Sequence, residues 1–259
     1  MIKALYSSAA GMQSQQTQVD VIANNLANVN TAGFKKSQAH FEDLFYEKPR
    51  PPGGATGEGS TLAGLEVGSG SRLVNTTKVF TPGVVWQTGR DLDLAIGGDG
   101  FFEIEGPGGQ RAFTRDGHFL RDANGSMVTA QGFRVVPQIT MPPEASTVTV
   151  SPDGVVSFAS NGTNQELGQI TLVRFVNPSG LESLGGNIYA STANSGDAVP
   201  ANPGELGVGQ ILQGSQERSN VDIATELIAL IIAQRAFEVN SRSISTADDM
   251  LRNANDITR

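Results

Sequence analysis

The chain is predicted to be α+β. A discontinuous terminal domain, in which N- and C-terminal α-helices pair in coiled-coil fashion, encloses a central, mainly antiparallel β domain. Three observations predict this. Apolar residues recur every seven positions at both ends, 31 glycines mark frequent turns, and no helical period interrupts the short apolar runs of the middle.

At the N-terminus Leu5, Met12, Val19 and Leu26 form one heptad line, and Ile2, Ala9, Gln16 and Ala23 a second line three residues earlier. The opening MIKALYSSAAGMQSQQ has no continuous apolar core and reads as mature helix, not as a cleavable signal. Its polar tract Gln13–Gln18 carries amides and hydroxyls and no charge, a face that copies of one chain can share without repulsion. The stretch NNLANVNTAGFKK (24–36) then places four asparagines within seven residues. Asparagine is a poor helix former, and three helical asparagines cost roughly 2 kcal/mol. The expectation is that Asn24, Asn25 and Asn28 close the helix and offer neutral hydrogen-bonding groups to neighbouring subunits. Asn30 and Gly33 suit the left-handed backbone of a helix exit.

The C-terminus is more regular. Ile223, Leu230, Phe237, Ile244 and Leu251 are spaced by seven, and Glu226, Ala233, Asn240, Ala247 and Ala254 follow three residues behind. A line of mostly small residues beside a line of large ones lets another helix approach closely. Asn220 is placed to cap this helix, with Asp222 in its first turn. The longest apolar run, Leu227 to Ala233, is too short to span a bilayer, so no membrane insertion is expected.

Between the ends, strands are expected at LDLAI (92–96), FFEIE (101–105), STVTV (146–150), VVSF (155–158) and ITLVRFV (170–176), separated by Gly, Pro and Asn turns. The segment KPRPPGGATGEGSTLAGLEVGSGS (48–71) reads as a linker, or as an arm ordered against neighbours. The expected boundaries are 1–33 and 221–259 for the helical domain, 34–80 and 207–220 for a connecting region, and 81–206 for the β domain.

Composition removes several function classes. A net charge of −8 with no basic cluster longer than Lys35-Lys36 argues against a nucleic-acid partner. The absence of cysteine excludes a disulfide scaffold and a Cys-based zinc site. His40 and His118 are not brought together by any spacing. Arg90-Asp91-Leu92-Asp93 before Gly98-Asp99-Gly100 lacks the closing glutamate of a calcium loop, so these acids are read as turn formers. No catalytic residue, metal or cofactor is expected. A carboxylate pair acting on a glycan stays open as an alternative, because spatial pairing of acids is invisible in sequence.

Two end motifs carry a resemblance. DVIANNLANVNTAGFKK (20–36) and ELIALIIAQRAFEVNSRSISTADDML (226–251) resemble the N- and C-terminal signatures of the bacterial flagellar rod and hook axial proteins, and residues 92–137 are similar to the family's β-rich outer domain. The resemblance implies a structural subunit exported without a cleaved signal by the flagellar export apparatus. It implies a helical homopolymer crossing the periplasm, helices inside and β domain outside, joined to proximal rod and hook and surrounded by the basal-body rings. Length and the late GLESLGGNIYA (180–190) look most like the distal rod, with proximal rod or hook as the alternative. On this reading the polymerisation and helix-packing residues are Ile2, Leu5, Met12, Val19, Asn24, Asn25, Leu26, Asn28, Gly33 and Phe34 in the first motif. In the second they are Ile223, Leu227, Leu230, Ala233, Gln234, Arg235, Phe237, Asn240, Ile244 and Leu251.

Overall fold

The computed structural model describes residues 2–50, 55–56, 59–60, 65–142, 147–160 and 163–257. Two long helices stand at the chain ends, α1 (Ile2–Ala27) and α2 (Ile223–Ile257), and strands fill the interval. At 1.5 Å per residue they are about 40 Å and about 50 Å long. Strand pairs of defined register are antiparallel, so the α+β class expected from the sequence is the observed one. The chain divides into two compact units. One holds Met1–Leu26, Ser37–Thr77 and Ile223–Arg259, and the other Ala27–Lys36 and Lys78–Asp222.

The helical unit contains both helices and three strand pairs, Ser37–Asp43 with Ser71–Lys78, Tyr46–Arg50 with Leu65–Gly68, and Ala55–Thr56 with Gly59–Ser60. The first pair lies against α1: Ser14 bonds Ser71, and a Cβ on Gly70 would stand 3.0 Å from the Ala10 side chain. Residues 51–54, 57–58 and 61–64 of the expected arm lie outside the described residues. The helices meet on the small-residue line of α2. Asn25 donates to Glu226, and Asn240 lies where a side chain on Gly11 would be. Since 25 meets 226 and 11 meets 240, the helices run antiparallel.

The β unit is built on a seven-stranded sheet with the order Glu182–Gly185, Ile188–Ala190, Arg111–Thr114, Phe101–Glu105, Leu172–Arg174, Val199–Ala201. The remaining strand, Val135–Val136, shares one edge of Phe101–Glu105 with Leu172 and Val173. Successive residues of a strand point to opposite faces, and this sheet is buried on both. Phe102, Ile104 and Leu172 enter an aliphatic core with Leu94, Met127, Ile139 and Ile211. Phe101, Phe113 and Val173 enter an aromatic cluster with Phe175 and Tyr189. Its rings meet edge-on, Phe113 and Phe175 at 4.8 Å between centroids. Burial on both faces explains why FFEIE reads as a nearly continuous apolar run. Its buried charge, Glu103, is paired with Arg111, and Glu105 at the strand end is exposed.

The expected strands are present at 94–97, 101–105, 148–150, 155–160 and 172–174, the last shorter than its apolar run. Two expectations are corrected and a third is extended. Asn220 does not cap α2, because its side chain bonds three strand-end groups of the β unit and the helix starts at Ile223. α1 ends at Ala27, so Asn28 lies beyond it, and of the two exit residues only Gly33 is left-handed, at φ 67°. Asp93 closes the expected turn, its N–H meeting the Arg90 carbonyl at 3.2 Å, but its side chain is fully buried, accepting from Thr88 Oγ1 at 2.6 Å and facing His118 Nδ1 at 3.0 Å.

Candidate functional site

The N-terminal signature is a set of backbone clamps. Asn25 is 2% exposed; its Nδ2 donates to the Ser37 carbonyl at 2.9 Å, and its Oδ1 accepts the Ser37 N–H at 2.8 Å. The same Nδ2 reaches Glu226 Oε2 at 3.3 Å. One amide therefore holds α1, the first strand and α2 of the helical unit. This satisfies a buried strand end within the subunit and corrects the expectation that Asn25 is offered to neighbours. Asn24 is exposed, and Asn28 Oδ1 accepts from Thr31 Oγ1 at 3.2 Å in the turn after the helix.

Gly33 and Phe34 belong to the β unit. Gly33 N–H donates to the Glu217 carbonyl at 2.8 Å, and a Cβ at Gly33 would lie 2.6 Å from the Asp116 backbone nitrogen. Only glycine fits, for space and for φ. Phe34 is buried with the Lys78 ammonium 4.9 Å from its ring centroid, and burial lowers the Lys78 pKa. Beside it, Asn220 Oδ1 accepts the Lys36 N–H at 2.8 Å and Nδ2 donates to the Val79 carbonyl at 2.8 Å. In the β unit as in the helical one, a single amide gathers strand ends distant in sequence.

The next residue is the one the sequence did not single out. Lys35 is fully buried, donating from Nζ to Glu217 Oε1 at 2.6 Å and to the Thr81 carbonyl at 2.7 Å. Glu217 Oε1 also accepts the Gly83 N–H at 2.7 Å, and Oε2 lies 3.4 Å from Arg115 Nη1. Arg115 Nη1 donates to the Gly98 carbonyl at 2.8 Å, and its guanidinium lies 5.3 Å from the Phe101 ring centroid. Burial lowers the pKa of Lys35 and of Arg115, and the Glu217 carboxylate opposes this at both. Loss of one partner would strand the others without solvent. Lys35, Arg115 and Glu217 thus form a buried charge knot with the chemistry of a structural lock.

The helical signature residues are less enclosed. Leu5, Met12, Val19 and Leu26 are half-buried, as are Leu230, Asn240, Ile244 and Leu251; the Ile2 side chain lies outside the described residues. Ala233 is buried, while Gln234, Arg235, Ile223, Leu227 and Phe237 are exposed. The buried positions of α2 are Glu226, Ala233 and Ala247 on the small line, not the large one. Toward solvent α2 presents Ile228 at 60%, Ile231 at 52%, Ile232 at 63% and Val239 at 61% exposure. Large apolar side chains exposed next to one another are the mark of an interaction surface.

His118 and Asp93 pair with each other, with Gln216 Nε2 3.1 Å from the His118 Nδ1, so this histidine is held within the fold. No group of His, Asp and Glu suited to a metal ion occurs among the described residues.

Comparison with known proteins matches three stretches. Residues 5–35 match the flagella basal body rod protein family, residues 95–158 the flagellar hook protein FlgE/F/G D1 domain, and residues 212–257 the flagellar basal body rod FlgEFG protein C-terminal. The class is that of the flagellar axial subunits. Full-length relatives narrow it. The flagellar basal-body rod protein FlgG of Borreliella burgdorferi is 45% identical, over 100% of this chain and 100% of that protein. In Caulobacter vibrioides, FlgG is 43% identical over 97% of each chain. FlgF of the same organism is 34% identical over 98% of this chain and 97% of its own. The chain belongs to the FlgG family of flagellar basal-body rod proteins. It is a structural subunit of the distal rod, in a family of structural proteins rather than enzymes. No helix among the described residues is long and apolar enough to cross a membrane.

Proposed function

We propose that copies of this chain pack their terminal helices side by side into the wall of a straight tube, and that this tube transmits torque to the hook. Residues 1–33 and 221–259 form the inner wall, 81–206 the outer layer, and 34–80 with 207–220 the connection. Within the inner wall α1 and α2 pair as a coiled coil. The subunit reaches the rod through the flagellar export apparatus and meets itself, the proximal rod, the hook and the surrounding rings.

The observation that carries this reading is the exposed apolar face of α2. Ile228 and Ile232 lie one turn apart, and both are more than half exposed. In a polymer each becomes buried, contributing about 1.5–3 kcal/mol per side chain. The double variant I228S/I232S is expected to keep the unfolding midpoint of the subunit, because neither residue is buried within it. Its polymerisation threshold should rise more than about 100-fold, since about 3 kcal/mol of contact is lost per subunit. The measurement is sedimentation of polymer against subunit concentration. An unchanged threshold would remove the α2 face from the interface.

A further inference from the structure

The heptad lines that make α1 and α2 good partners also make them ambiguous. A slip of seven residues sets leucine, methionine and valine against the same kinds of residue as before, so apolar contact alone does not select a register. The two helices nevertheless meet in one. The residues that meet fall on one seven-spaced line of each helix, Ala4, Gly11, Gln18, Asn25 on α1 and Glu226, Ala233, Asn240, Ala247 on α2. Asn25 bonds Glu226, Gly11 accommodates Asn240, and Ala4 lines one concavity of about 400 Å³ with Ala247. The two polar contacts are fourteen residues apart on both helices.

Each contact discriminates by its own physics. A side chain at Gly11 would stand 2.8 Å from Asn240 Nδ2, so the asparagine amide occupies the space that a Cβ would fill. Glycine inside a helix costs about 1 kcal/mol against alanine, and this close approach accounts for its presence. After a one-heptad slip in either direction, Asn240 would oppose Ala4 or Gln18, and neither leaves that space. Glu226 is 7% exposed and would oppose Gln18 or pass the end of α1 at Ala27, leaving the Asn25 amide behind. A buried polar residue on an otherwise apolar seam is the known means by which a coiled coil rejects alternative registers.

We propose that Gly11–Asn240 and Asn25–Glu226 are two register keys that restrict the helix pair to one alignment, and so give every subunit of the rod the same inner wall. This rests on the reading that α1 and α2 pair within one chain. It adds which residues specify the pairing and how.

The chain has no cysteine, so label positions can be chosen freely. Gln13 and Glu238 are exposed and lie at the same level in the observed register. A Q13C/E238C chain carrying two nitroxide labels is diluted into unlabelled chains and assembled, and the distance between the labels is read by pulsed dipolar spectroscopy. With both keys intact, one short distance is expected. With E226A/N240A added, a second, longer population is expected, because a seven-residue slip moves the labels about 10 Å along the axis. The exchange G11N/N240G is expected to return a single short distance. A single unshifted distance in E226A/N240A would overturn the keys and leave the pairing reading intact. Absence of a short distance with the keys intact would overturn the pairing within one chain, and the keys with it. If E226A/N240A does not assemble, G11N decides alone against G11N/N240G. Assembly restored only by the exchange supports the keys, and failure of both overturns them.

Discussion

In the β unit the strand Phe101–Glu105 buries four consecutive side chains, Phe101 to Ile104, and the buried charges Lys35, Glu103, Arg115 and Glu217 are all paired. In the helical unit α2 buries chiefly Glu226, Ala233 and Ala247, and leaves Ile228, Ile231, Ile232, Val239 and Met250 more than half exposed. The β unit completes its core and pairs these charges from its own residues, although the buried Arg115 Nε has no hydrogen-bond partner. The helical unit has its register within one chain, but most of its apolar surface is unspent. A helix of this kind draws its stability from tertiary packing, so its partners must come from other subunits. The difference shows how one chain can hold both a finished module and an unfinished one.

The sharpest way to break the comparison is to strand the buried charge of the β unit. Glu217→Gln keeps the shape but leaves Lys35 and Arg115 without their carboxylate. Loss of one member of a buried pair costs about 3–5 kcal/mol. The urea midpoint of the subunit should fall accordingly, and a shift below about 1 kcal/mol would mean that the knot is not what closes the β unit. Gly33→Ala comes next. It imposes φ 67° on a side chain and drives a Cβ to 2.6 Å from the Asp116 backbone nitrogen, where no flexible group can yield. A loss of about 2–3 kcal/mol is expected in the same assay.

The helical unit should respond less. Asn25→Ala removes two hydrogen bonds to Ser37 and one to Glu226, and leaves the Ser37 N–H and carbonyl to find water. About 1–2 kcal/mol is expected, read as faster amide exchange at Ser37 and along the adjoining strand while exchange in the β unit stays unchanged. Equal acceleration throughout the chain would erase the distinction between the two units.

How far the sequence reaches follows the same division. The helices were legible because a seven-residue period is a local property, and the strands because Gly and Asn-Gly turns cut the apolar runs. Which helical line is buried was less legible. Large residues suggest the seam, yet the small line of Glu226, Ala233 and Ala247 takes the contact, because small residues permit the close approach and the large ones flank it. The charge knot has no local signature, since Lys35, Arg115 and Glu217 are brought together by the fold alone. One signal was available. Alternation along Arg111–Arg115 puts Arg115 on the same side of the strand as Phe113, so a buried arginine in need of a partner was implied. The roles of Asn25 and Asn220 were hidden for a similar reason: an amide that binds strand ends cannot be told from one that caps a helix until the strands are placed.

The smallest effect concerns a charge next to the knot. Asp116 follows Arg115 and accepts the His118 N–H at 3.0 Å, yet burial raises its pKa above the usual 3.8. A carboxyl raised in the folded state retains its proton at pH values where the unfolded chain has released its own. Below the unfolded value both states are protonated and nothing is lost. As pH rises through the window between the two values the folded state binds more protons, so stability falls, and the penalty persists at neutral pH. Asp116→Asn keeps an oxygen for the His118 N–H and removes the charge. It should raise the urea midpoint slightly at pH 7 and leave it unchanged near pH 3, where the carboxyl is neutral in both states. A lower midpoint at pH 7 would mean that the charge of Asp116 serves the His118 N–H more than burial costs it.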